Sequence, residues 1–206
     1  DLVRRGVAVT LYAYPAVAPL FAGLGAKVVA ADGDMRIERA DAWVMIASLP
    51  LRLGVRLETL SGAPYLSAPA GEAPRKRGRI GVTWRGGPNN LNDARRSMPR
   101  EAAAPLLALD GAISLAPEDT GVSDMAQTAA IIAGLEAVVS VDTSVAHLAG
   151  AMGRRTLLML PASGVDWRWL EARADSPWYD SVEIFRQSRP GDWSDVVARV
   201  RAAVAD

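Results

Sequence analysis

The stretch that most restricts the fold is residues 137–160, AVVSVDTSVAHLAGAMGRRTLLML. Ala137 to Val141 is a short apolar run rich in β-branched residues, the pattern of a buried strand. It stops at Asp142-Thr143-Ser144, residue types whose side-chain oxygens accept from the free N–H groups that open a helix. Val145, Leu148, Ala149 and Met152 then recur at helical spacing, Gly153 supplies a stop, and Thr156 to Leu160 is a second apolar strand. Strand, short helix and strand in this order make a β–α–β unit, whose strands run parallel and lie side by side. The chain is therefore expected to be α/β.

In such a unit chemistry sits where the polar residues of this stretch sit. Asp142, Thr143 and Ser144 occupy the carboxyl end of a strand and the amino end of a helix, where free N–H groups and the positive pole of the helix dipole suit a phosphate. His147, the single histidine, falls on the first helical turn. Two readings stand side by side. Asp142 and Thr143 either cap the helix or serve a ligand, and His147 is either a packed residue or a ligand-facing one.

Composition narrows the classes of partner. A chain of 206 residues, half of them hydrophobic, has material for one large domain or two small ones. Lys plus Arg and Asp plus Glu both number 23, which removes the electrostatic case for nucleic acid or an anionic membrane. Without cysteine and with one histidine, disulfides, thiolate metal sites and multi-histidine metal sites are excluded. A carboxylate magnesium site is not. No apolar run is long enough to span a bilayer, and a cytoplasmic location is the expectation.

Earlier in the chain, Asp1-Leu2-Val3-Arg4-Arg5-Gly6 reads as the tail of a helix, so a strand and helix are expected to precede it. Val7 to Tyr12, Lys27 to Ala31 and Trp43 to Ala47 read as strands, with a short helix over Ala16 to Leu24 and a compact segment over Leu51 to Leu60. Residues 61–78 collect Pro, Gly and Ser and finish in Arg75-Lys76-Arg77, the composition of an interdomain linker with a solvated basic face. Arg79 to Trp84 opens a second sheet and breaks into Trp84-Arg85-Gly86-Gly87, where glycines allow close approach of backbone to a ligand. Neither the dinucleotide fingerprint nor a P-loop spacing is present.

A polar loop, Asn92 to Pro99, leads into a helix over Arg100 to Leu109. Its Arg95 and Arg96 are either exposed or able to grip a diphosphate through guanidinium forks. Gly111 to Leu115 reads as a strand and Asp124 to Leu135 as a helix. Beyond residue 160, Trp167, Trp169, Trp178 and Tyr179 crowd one loop, as interface packing or as a lid over a base or sugar. Ser181 to Gln187 is a last strand, and a terminal amphipathic helix carries Val196, Val197, Val200 and Val204 on one side.

Together VSVDTSVAHLAGAMGR, DWRWLEARADSPWY and FRQSRPGDW, preceded by RIGVTWRGGP and NDARRSMP, resemble a known family. It is the glycosyltransferase-like domain that follows tetratricopeptide repeats in many bacterial proteins, related to the ADP-heptose:lipopolysaccharide heptosyltransferases of glycosyltransferase family nine. The resemblance implies two Rossmann-like lobes facing a cleft, the GT-B arrangement, with an incomplete N-terminal acceptor-side lobe over 1–74. A nucleotide-sugar-binding lobe would span 75–206, its last helix able to pack back on the first lobe. It places Asp142, Thr143 and Ser144 in the donor-diphosphate loop, His147 near the donor, Arg96 where heptosyltransferases carry a phosphate-contacting lysine, and Trp84, Arg85 and Gly86 in the first loop of the donor lobe.

Two departures stand out: Ser144 occupies a position where heptosyltransferases have glycine, and a stretch between Leu115 and Ala116 is shorter than the family's. The implied activity is an inverting, metal-independent transfer of a hexosyl or heptosyl group (EC 2.4 class) from a nucleotide-diphosphate sugar, with no cofactor. The acceptor would be an unspecified glycan, lipid or protein, and tetratricopeptide repeats are implied in the full-length chain. The resemblance puts the catalytic base upstream of Asp1. A catalytically degenerate binding or scaffold module is the competing reading, and a sugar-nucleotide epimerase on the same architecture a third.

Overall fold

Parallel strands carry the fold, and the order in which they pair decides where a ligand can sit. The computed structural model describes residues 1–69, 78–88 and 90–205. A two-stranded parallel sheet pairs β1 (Thr10–Ala13) with β2 (Lys27–Ala30), joined through a 3-10 turn over Ala18–Leu24. A single-turn helix, α1 (Leu49–Arg52), follows. The main sheet begins at β3 (Ile80–Thr83) and continues through α2 (Asp93–Arg96), α3 (Arg100–Leu107), β4 (Ala112–Ser114), α4 (Pro117–Thr120) and α5 (Met125–Ala133). It is completed by β5 (Ala137–Val141), α6 (Ser144–Ala151), β6 (Arg155–Leu160), β7 (Val182–Arg186) and α7 (Ser194–Ala205).

The five strands of this sheet are ordered β4-β3-β5-β6-β7, all parallel. The chain moves outward from β3 to β4, returns across β3 to β5, and continues outward on the other side. The strand order therefore reverses between β3 and β5. In open parallel sheets that reversal leaves a crevice beyond the carboxyl ends of the two strands, because their following connections leave toward opposite faces.

Both faces of the sheet are covered, which is why its strands read as unbroken apolar runs. Alternate side chains serve opposite layers. Ala137, Val139 and Val141 of β5, with Leu157 and Met159 of β6, join a cluster closed by Met98, Leu106, Trp193, Val196 and Val200. Val138 packs with Ile131, Ile132 and Leu148 of α5 and α6, while Leu158 and Leu160 meet Ala146, Trp169 and Tyr179. Burial of such side chains stabilises by roughly 1.5–3 kcal/mol each. The buried side of α7 lies against α3 and β7.

The N-terminal segments are less well covered. The sequence predicts a buried strand at Trp43 to Ala47, but this segment is irregular, with a 3-10 turn over Ile46–Ser48 and Trp43 79% exposed. An apolar run becomes a strand only beside a partner edge, and the two-stranded sheet does not supply one here. Contact with the main sheet comes through Leu20, Val17 and Phe21, packed against the α5 layer, and through residues 62–66. There the Tyr65 and Leu66 amides donate to the Ala151 carbonyl at 2.9 and 3.0 Å, and the Asp180 amide donates to Gly62. The expected linker is thus partly seated on α6. Its Arg75-Lys76-Arg77 triplet, and the expected boundary at 74/75, lie outside the described residues. β4 runs directly through Leu115 and Ala116 into α4.

Candidate functional site

At the reversal between β3 and β5, two loops leave the sheet and are clipped together by one arginine. The Arg96 Nη1 group donates to the Asp142 carbonyl at 2.8 Å, and its Nε donates to Asp93 Oδ1 at 3.1 Å. Asp93 also accepts from the Ser97 hydroxyl at 2.9 Å, which in turn accepts from the Gly86 amide at 2.8 Å. With Nε and Nη1 each giving one hydrogen to the protein, the guanidinium keeps N–H donors on Nη1 and Nη2 for a further partner. Gly86 makes the arrangement possible: a Cβ there would lie 2.2 Å from Arg96 Nη2 and 2.5 Å from Asp93 Oδ1.

The second loop opens α6. Thr143 stands at the N-cap in extended conformation, yet its side chain makes no capping bond. Its hydroxyl lies 3.2 Å from Ser140 Oγ, inside the sheet end. The plain capping reading of Thr143 is therefore not the one its geometry follows. The intrahelical ladder starts with Ala146 and His147 donating to the Thr143 carbonyl, so the helix presents its first-turn N–H groups and dipole end to the cleft.

His147 sits between three groups. Its Nδ1 is 3.0 Å from the Tyr179 hydroxyl, its Nε2 is 3.8 Å from Asp142 Oδ1, and its ring stacks on Trp169 at 4.8 Å between centroids with 21° between planes. Burial pushes the His147 imidazole below its ordinary value, opposed in part by Asp142, so the neutral ring is favoured near pH 7. Asp142 Oδ1 accepts from the Trp169 indole N–H at 2.9 Å. Asp166 pairs with Arg168 at 3.0 Å and accepts from the Arg168 amide as well. The carboxylates at the cleft are thus both engaged by neighbours.

Asn90, Asn92, Arg96, Asp142, Thr143, Ser144, His147, Pro161, Gly164 and Asp166 enclose a cleft of about 180 Å³. That is below the ~300–1,000 Å³ that accommodates a whole small-molecule ligand. It suits the charged centre of a ligand whose ends extend outside. Asn92 donates from Nδ2 to the Gly164 carbonyl at 3.1 Å and so closes the far rim. A larger groove of about 460 Å³ lies between α3 and α7, against Pro99, Trp193 and Val197, and holds none of the residues expected at a donor site.

The remaining sequence-stated residues are placed differently. Trp84 is buried in the core with the Arg100 guanidinium 5.5 Å from its ring centre, and Arg85 pairs with Glu118. Neither lines the cleft, and Gly86 acts beneath Arg96. Of the aromatic cluster, Trp169 is fully buried and Tyr179 nearly so, whereas Trp167 is exposed with its ring edge-on to Trp178. Sequence reading missed Asn90, Asn92, Pro161, Gly164 and Asp166 as cleft residues. Distance along the chain hid them, since nothing local marks a loop after β6 as facing a loop after β3. Among the described residues, no three His, Cys, Asp or Glu side chains converge as a metal-binding set, and no helix is long and apolar enough to cross a membrane.

Comparison with known proteins places residues 107–190 as a match to glycosyltransferase family 9 (heptosyltransferase). The matched stretch contains the α6 loop, His147, Asp166, Trp169 and Tyr179, while Arg96 and Gly86 lie ahead of it. The chain is also 26% identical over 153 residues to Protein FlbA of Caulobacter vibrioides. That alignment takes in 62% of this chain and a quarter, 25%, of the relative.

Proposed function

We propose that the chain binds the diphosphate of a nucleotide sugar at the β3/β5 reversal and serves as the donor-binding part of a glycosyltransferase. The observation that carries this reading is a convergence: Arg96, the open N-terminus of α6 and His147 all face one cleft, and most of that cleft falls within the family 9 match. On this reading the main sheet is one lobe of a GT-B pair, the segments around β1 and β2 belong to the acceptor-side lobe, and the location is cytoplasmic. Tetratricopeptide repeats elsewhere in a longer chain fit the same reading.

Inverting transfer requires an acceptor oxygen to attack the anomeric carbon as the bond to the diphosphate breaks. The nucleoside diphosphate leaves with the electron pair, and the acceptor proton passes to a base. Negative charge grows on the departing phosphate oxygens. The α6 N–H groups, the Arg96 fork and the neutral His147 ring are preorganised donors aimed at that charge, and none needs to reorient for the reaction. Ser144, exposed at the first turn, adds a hydroxyl. A metal-independent transfer follows if these donors carry the leaving group.

The same geometry favours one competing reading. Asp142 accepts from the Trp169 indole and Asp166 pairs with Arg168, so both cleft carboxylates serve contacts within the protein. A donor-binding module without transfer activity would look the same at this cleft. Calorimetric titration of the chain with ADP, UDP and GDP, each beside its nucleoside, tests binding. Arg96→Ala is expected to lower affinity for the diphosphate that binds by about tenfold or more, from losing a charge-assisted contact, with the nucleoside affected little. Equal losses for both ligands, or no binding of any nucleoside diphosphate by the native chain, would remove the proposal. Release of nucleoside diphosphate from a sugar donor then separates enzyme from module.

A further inference from the structure

We propose that Tyr179 is a positioning residue for His147: its hydroxyl donates to Nδ1 and so keeps the ring proton on Nε2, the nitrogen that presents a donor to the cleft. The inference rests on and deepens the diphosphate reading and names a residue that lies outside the cleft wall. Two observations and one chemical constraint support it.

The first is geometric. The Tyr179 hydroxyl is 3.0 Å from Nδ1, and the ring, carried on α6, is pinned by its stacking on Trp169. Tyr179 itself has room only because residue 150 is glycine, where a Cβ would lie 2.6 Å from the Tyr179 Cγ. The second concerns the opposite nitrogen. Nε2 faces Asp142 Oδ1 at 3.8 Å, too far for a hydrogen bond but close enough for charge to matter. A lone pair on Nε2 would face a carboxylate oxygen, whereas an N–H there is attracted to it. The third concerns the groups themselves. A neutral imidazole has one donor and one acceptor nitrogen, so fixing one fixes the other.

The surroundings keep both partners in the required protonation state. Burial raises the Tyr179 phenol above its ordinary value, and the Tyr65 phenol raises it further through its charge and a hydrogen bond, so Tyr179 keeps its proton near neutral pH. Arg168 and Asp166, which also face His147, act in opposite directions on the ring. Tyr65 belongs to the segment that bonds to the Ala151 carbonyl, so the support for His147 reaches back to residues 62–66. The consequence for a ligand is specific. With the proton on Nε2, His147 offers a phosphate oxygen a hydrogen bond without adding charge; with the proton on Nδ1, it would offer a lone pair that repels one.

Since His147 is the single histidine, one imidazole-labelled sample reports on it alone. Nitrogen-15 spectra of the whole chain at pH 8, correlating each ring nitrogen with its carbon-bound protons, are expected to show Nδ1 unprotonated and Nε2 protonated. A ring protonated on Nδ1, or an even mixture, overturns the proposal without any variant. In Tyr179→Phe the preference should relax toward a mixture, and affinity for whichever of ADP, UDP or GDP binds should fall about threefold to tenfold, the scale of one hydrogen bond to a charged group, with the matching nucleoside unchanged. An unaltered tautomer in Tyr179→Phe also overturns it. If the native tautomer is the one proposed and none of ADP, UDP and GDP binds, the positioning role stands and the diphosphate reading falls.

Discussion

Gly86 shows how one missing carbon decides what a charged side chain can do. Its hydrogen is the only substituent that leaves space for the Arg96 guanidinium above it. The groups in the way are side-chain ends, the Arg96 guanidinium and the Asp93 carboxylate that holds it, so Gly86→Ala should displace that pair rather than unfold the sheet. The expected result is a melting temperature close to the native one and a loss of nucleoside diphosphate affinity matching Arg96→Ala, read by calorimetry. His147 carries a different residue-scale consequence. Its pKa in the folded chain lies below the ordinary 6.5, mainly through burial, so the unfolded state binds the proton more tightly. Its contribution to stability is complete above about pH 6.5, the unfolded-state value, and is lost as pH falls through the folded value. Denaturant midpoints measured from pH 8 to pH 5 should therefore fall less in His147→Gln than in the native chain.

At the scale of elements, the end of β5 and the start of α6 divide their labour. Thr143 spends its hydroxyl on buried Ser140, and Ser144 stands exposed at the first turn. Thr143→Ala should then cost about 0.5–1.5 kcal/mol of stability, the worth of one ordinary hydrogen bond. Ser144→Ala should stay within about 0.5 kcal/mol, as exposed substitutions do, and weaken nucleoside diphosphate binding instead. Chemical denaturation and titration on both variants check the split; a large stability loss in Ser144→Ala would contradict it. The strand and helix order of residues 79–206 was legible from apolar runs and their punctuation, with ends within a few residues of those observed. The single-turn helices α2 and α4 were not: each is too short and too polar to show an apolar period, and α2 takes its shape from Asp93 and Ser97 bonding around Gly86. The Trp43 to Ala47 segment failed in the opposite sense, being apolar enough for a strand but lacking an edge to join.

Across the whole molecule, burial is concentrated in the main sheet. Leu158, in the middle of β6, is fully buried among Ala146, Trp169 and Ile184, and Leu158→Ala should cost about 2–5 kcal/mol. Leu51, 80% exposed in α1, should tolerate alanine within about 0.5 kcal/mol. Denaturant unfolding of the two variants compares the regions directly. The seating of residues 62–66 on α6 and Tyr179 ties the N-terminal segments to the layer that holds His147, so the site and the connection share a wall.

The sequence alone determined the alternation of apolar runs with caps and glycines, and hence a parallel sheet with a polar loop at the end of β5. Those are local properties, set by periodicity and backbone preference within a few residues. Which loops face one another was decided only by the tertiary structure. The reversal of strand order between β3 and β5 brought Arg96 to the Asp142 carbonyl, across 46 positions of chain, and the packing of the β6–β7 connection on α6 set Tyr179 against His147 across 32. Trp84 and Arg85, adjacent to Gly86 in sequence, were turned to the core and to Glu118 instead. Proximity of that kind depends on how the sheet is wound, and no local pattern of residues encodes it.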